Sequence, residues 1–233
     1  MRNNLIDFIR GIAFILMLIH HYHHFNPNSN LMPKIVSNLG IISRTLFIIL
    51  VGVSMRLFAK KNNRSTLTLL ERISFNGPYK KSYLILLSAL MVTFASYLFL
   101  PNSQIIFFSV LHFIAIATIL MKEASSNLYI TIIIGIISLI ISEYMTTKNG
   151  SDNILHLIFG GYTRSRFPID IFPLFQWLPY VSTGIVIGEY INNINVDYDT
   201  IYEPIEYCGR NSLYLYVLHV IPCIYWFSTK NKQ

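Results

Sequence analysis

Charge is what this sequence has least of. Only 12% of its 233 residues are Asp, Glu, Lys or Arg, where a soluble domain carries about a quarter. Acids are scarcer than bases, 11 against 18, and no charged residue falls between Lys81 and Lys122. With 53% hydrophobic residues and a mean hydropathy of +0.50, the chain does not read as a soluble globular protein. Cysteine is nearly absent as well. Cys208 and Cys223 cannot build a disulfide framework and lack metal-ligand spacing. Segments of alternating polarity are missing, which excludes a β-barrel: "TIIIGIISLIIS" and "ILLSALMVTF" are apolar on every side. The Gly160-Gly161 pair lacks the strand and helix that a phosphate-binding loop needs. There is no internal repeat and no low-complexity tract. No small-residue cleavage site follows His24, and Asp7 and Arg10 lie inside the first apolar run, so a removable signal peptide is not expected.

What remains is a series of apolar runs, each near the length of about 20 residues that crosses a bilayer as a helix. They predict seven spans, at 5–25, 38–58, 82–100, 104–121, 127–145, 171–190 and 211–228. The fold class is all-α, a polytopic transmembrane helical bundle forming one domain over residues 1–233. The formal charge of +7 does not point to nucleic acid, because the basic residues gather in one loop between spans. Lys60, Lys61, Arg64, Arg72, Lys80 and Lys81 place that loop in the cytoplasm by the positive-inside rule. The amino terminus is then cytoplasmic and the carboxyl terminus external. Arg164, Arg166, Lys230 and Lys232 run against the rule. A homo-oligomer is left open.

Ionisable side chains inside spans are costly, and each is a functional candidate. At 100° per residue, Asp7, Arg10, Met17 and His21 share a sector of about 80° on the first helix, while His20 and His23 point more than about 120° from Asp7. His112 and His219 each lie eight residues into their spans, about 12 Å deep, which suggests a shared polar cavity. Arg44 cannot lose its proton and needs a carboxylate, carbonyls or an anion. Arg56 reads as an arginine reaching to the inner boundary.

Plainer readings stand beside these. Histidines at a helix end are ordinarily interfacial residues in water, Asp7 and Arg10 can be a structural pair, and His112 and His219 can join neighbouring helices. His20, His23 and His24 have spacings that can share a metal, but no cysteine or nearby acid completes a set, and no metal is expected.

The motifs are similar to those of a known family. "LIDFIRGIAFILMLIHHYHHF" resembles the opening helix of bacterial membrane proteins related to heparan-alpha-glucosaminide N-acetyltransferase: an acid, Arg-Gly, a run with Met, then His. "TLFIILVGVSMRL", "FFSVLHFIAIA", "IDIFPLFQWLPYVSTGIVIGEY" and "CGRNSLYLYVLH" resemble further family segments in order. The resemblance spans about residues 2–225 and places the family histidine on His21. Two departures stand out. Val220 follows His219 where relatives have Gln-Pro, the proline being Pro222, and Gln176 replaces a second proline.

The resemblance implies transfer of an acetyl or other acyl group from acetyl-CoA to an amine or hydroxyl of a sugar or glycan. His21 is the expected base, with His219 or His112 orienting the thioester or replacing it. Asp7, Arg10, Arg44, His24, Asp170, Arg210, Asn211 and Ser212 are expected to bind substrates, with helix ends and basic inner loops holding the donor. The external loop 146–170, with Asp152, His156, Arg164 and Arg166, offers a place for a polar acceptor. Two rivals share the inventory: a transporter or proton-coupled channel lined by His, Arg and Asp, and a catalytically silent membrane scaffold.

Overall fold

Runs of isoleucine such as Leu128–Thr147 favour strands in water, yet they fold as helices here. An apolar surround gives the backbone no partner but itself, and a helix satisfies every internal N–H and C=O within one segment. The computed structural model describes residues 3–25, 33–61, 79–101, 105–147, 158–160, 171–191 and 202–230. Among the described residues there are eight helices and no strand: α1 (Asn4–Phe25), α2 (Pro33–Lys61), α3 (Lys80–Phe99), α4 (Val110–Ala124), α5 (Leu128–Thr147), α6 (Leu174–Tyr190), α7 (Glu203–Arg210) and α8 (Ser212–Lys230). Four are long and apolar enough to cross a membrane, over Asn4–His23, Lys34–Lys61, Lys80–Phe99 and Leu128–Met145. Outward faces of α3 and α5 are apolar: Phe94 is 63% exposed and Ile140 64%. Such faces suit lipid and would be an aggregation hazard in water.

Two expectations from the sequence are revised. The fourth helix begins at Val110, not 104, because Ser109 and His112 form a capping box there that satisfies orphan donors at the helix start. Ile105, Phe108 and Ser109 ahead of it are buried without being helical, and Phe108 accepts a backbone bond from Phe172 at 3.0 Å. The short helix α7 was not expected. Its signals are plain in hindsight: Pro204 in the first turn with Glu203 and Glu206, and Arg210 in the last, each where the helix dipole favours it.

The described residues form two compact units. The first holds α1, α2 through Leu50, α7 and α8. Its tightest feature is the meeting of α1 and α7. A Cβ on Gly11 would lie 1.9 Å from the Ile205 carbonyl oxygen, and one on Gly209 would lie 1.7 Å from that of Asp7. Only paired glycines let these backbones approach so closely. Ser43 of α2 donates to the Ala13 carbonyl at 2.7 Å, and Ile6, Ala13, Phe14, Met17, Tyr216 and Ile224 are buried. Helix α8 runs on through Pro222.

The second unit holds α2 from Val51 and α3 to α6. Its core includes Val53, Val92, Phe113, Met121, Val181 and Ile185. Arg56, which the sequence reads as reaching to the inner boundary, has defined partners at the ends of two other helices. It bonds Glu189 of α6 at 2.5 Å and the carbonyls of Ser125 and Ser126, just past α4, at 2.7 and 2.8 Å. A guanidinium has five fixed donors, and the C-terminal carbonyls of α4 and a carboxylate satisfy several of them. Helix α6 continues through Pro179.

Candidate active site

Within the first unit, helix periodicity places Asp7, Arg10, Met17 and His21 along one side of α1, as the sequence predicts. The outer member of that row meets α8. His21 Nδ1 lies 2.9 Å from His219 Nε2, and the two rings stack with centroids 5.1 Å apart and planes 23° apart. His219 is the eighth residue of α8, and its Nδ1 lies 3.0 Å from the Leu215 carbonyl oxygen one turn back. Phe14 and Tyr216 stand edge-on to the His219 ring at 5.7 and 5.4 Å, and Tyr216 also faces His21 at 6.5 Å. Both aromatic residues are buried.

The neighbours of His21 differ in role. His20 turns to α2, where its Nδ1 donates to the Val36 carbonyl at 3.2 Å. Its ring occupies space over Gly40 that a Cβ would invade at 2.5 Å. His20 is therefore a contact between helices, and its divergence from His21 matches the helical wheel. Among the described residues no three His, Cys, Asp or Glu side chains gather as metal ligands do. Of His24 only its place near the end of α1 is described.

At the other end of α1, Asp7 is 2% exposed and accepts from Arg10 at 2.8 Å. Fourteen residues separate Asp7 from His21, about 21 Å along the helix. Arg44 donates Nε to the Gly40 carbonyl at 3.1 Å. Arg210 pairs with Glu206 on α7, Asn211 caps α7 and donates its amide to the Tyr207 carbonyl at 3.0 Å, and Ser212 opens α8. Asp170 lies outside the described residues, as do Asp152, His156, Arg164 and Arg166, and Arg64 and Arg72 of the basic loop.

His112 belongs to the second unit. With α4 starting at Val110 it is the third residue of its helix, where the sequence placed it eight residues in. Its Nδ1 accepts from the Ser109 backbone N–H at 3.3 Å and lies 3.1 Å from the Ser109 hydroxyl. Its Nε2 lies 3.3 Å from Thr93 Oγ1, which donates to the Ile106 carbonyl at 2.8 Å. Both ring nitrogens thus serve the α3–α4 corner.

The two histidines that meet, His21 and His219, come from the first and last of the motif segments. Residues 2–221 match the family described as "Heparan-alpha-glucosaminide N-acetyltransferase, catalytic". The chain belongs to this family. No curated protein and no solved structure matches it. Family membership and the four long apolar helices make it a membrane protein of an acetyltransferase family. The match takes in α1 through Ile221 of α8, and so includes both halves of the histidine pair.

Proposed function

We propose that this protein is a multi-pass membrane acetyltransferase whose base is His21. It moves the acetyl group of acetyl-CoA to an amine or hydroxyl of a sugar or glycan. The observation that carries the reading is the 2.9 Å contact between His21 and His219, residues 198 positions apart that fall within one family match. An attacking amine or hydroxyl must lose a proton, and an imidazole held in place is suited to take it. The acceptor proton passes to His21, the acceptor heteroatom bonds to the thioester carbonyl carbon, and the carbon–sulfur bond breaks. Proton return from the His21 imidazolium to the departing thiolate yields CoA and restores the base.

Asp7 and Arg10 form the inner part of this side of α1, toward the donor, in a chain of seven spans with a cytoplasmic amino terminus. Arg44, His24, Asp170, Arg210, Asn211 and Ser212 remain the substrate-binding candidates. His112 is assigned to the fold, because both of its nitrogens bond within the α3–α4 corner.

The test is thiol release from acetyl-CoA by the full chain in lipid nanodiscs, with and without a soluble glucosaminide. Acceptor-dependent release supports the reading. No release and no acetyl-CoA binding would sink it, and proton flux in CoA-free liposomes would favour the transporter.

A further inference from the structure

The histidine pair is directional, and the direction follows from the Leu215 carbonyl. A carbonyl oxygen only accepts, so the hydrogen between it and His219 Nδ1 at 3.0 Å belongs to the imidazole. A neutral imidazole has one N–H, which leaves His219 Nε2 with a lone pair. The atom 2.9 Å from that lone pair is His21 Nδ1, which must then supply the hydrogen. A neutral His21 with its hydrogen on Nδ1 carries its basic lone pair on Nε2. The hydrogen bond at one ring nitrogen decides the state of the other, and here it is decided from α8.

We propose that His219 is a positioning residue that holds His21 in its Nδ1–H tautomer, with Nε2 as the proton-accepting atom, and supports the imidazolium formed there. The inference rests on the reading of His21 as the base. It adds a division of labour between two motif histidines otherwise interchangeable as bases. As Nε2 takes the acceptor's proton, His21 becomes cationic, and its Nδ1–H bond to His219 becomes charge-assisted, shorter and stronger. That gain exists as charge develops and not in the resting enzyme, so it favours turnover over binding. The edge-on rings of Phe14 and Tyr216 fix the His219 ring, and the Leu215 carbonyl fixes its tautomer.

The experiment has a spectroscopic arm and a kinetic arm, both on the full chain in nanodiscs. Histidine labelled with 15N gives distinct signals for protonated and unprotonated ring nitrogens, and the His21 pair is assigned by its loss in His21→Asn. Wild type should show His21 protonated at Nδ1 and bare at Nε2. His219→Phe keeps a ring of similar shape but offers no acceptor, and both His21 nitrogens should move to intermediate shifts. His219→Gln restores an acceptor oxygen and should return His21 toward the wild-type pattern.

In the thiol-release assay, His219→Phe should lower kcat on the order of 10–100-fold while the KM for acetyl-CoA moves less than about twofold, and His219→Gln should recover part of the loss. A wild-type His21 protonated at Nε2, a His21 spectrum unmoved in His219→Phe, or equal kcat in the Phe and Gln variants overturns the proposal. The spectrum needs no substrate and reads the pairing even if acetyl-CoA is never consumed. Failure of wild-type thiol release counts against the acyl-transfer reading instead.

Discussion

His112 and His21 both lie on apolar helices, and each bonds through a ring nitrogen to a residue of another segment, yet the segments they join differ. At His112 the Ser109 N–H donates to Nδ1, so the neutral ring carries its hydrogen on Nε2, beside Thr93 Oγ1, whose hydroxyl donates to the Ile106 carbonyl. Every step is taken up by the α3–α4 corner, and an added proton on Nδ1 would break the capping box. At His21 the chain runs the other way. It is anchored at the Leu215 carbonyl and passes through His219 Nε2 to His21 Nδ1, joining two helices far apart in the sequence. The partners of a histidine thus show whether it serves a local cap, as at His112, or joins distant helices, as at His21.

Substitutions can break this contrast. The first unit should draw its stability from the inner half of α1, not from its histidines. Asp7→Ala removes a buried carboxylate from Arg10 and should cost about 3 kcal/mol, read as a fall in the melting temperature in detergent. Gly209→Val presses a side chain on the Asp7 carbonyl and should cost about 1–3 kcal/mol. Because α8 follows directly, thiol release per folded molecule should fall with it. In the second unit the histidine itself should matter to stability. His112→Ala loses the cap, at about 1–2 kcal/mol, with turnover per folded molecule within about a factor of two. Thr93→Val removes one link of the same chain and should cost about 1 kcal/mol. Equal thermal stability of His112→Ala and wild type would erase the distinction.

The sequence carried much of this. Apolar runs marked the helices, and α-helical periodicity put His21 with Asp7 and Arg10 and turned His20 away. The start of α8 also came through, at Ser212 just after the polar turn at Asn211. Contacts between distant segments did not. Nothing local to residues 18–26 says that His219 would meet His21, because that depends on how α1 and α8 pack after the glycines at 11 and 209 bring α7 in. His112 misled because the apolar run before it reads as helix, while Ser109 starts the helix later. The partners of Arg56, namely Glu189, Ser125 and Ser126, are likewise invisible from its own apolar segment.

The central claim is that His21, and not His112, takes the acceptor's proton. Acceptor-dependent thiol release from acetyl-CoA, normalised to folded protein, compared between His21→Ala and His112→Ala tests it most directly. The account predicts a loss of about 10²–10⁴-fold for His21→Ala, with acetyl-CoA still bound, and near-wild-type release for His112→Ala. Retained release in His21→Ala together with its loss in His112→Ala would contradict it.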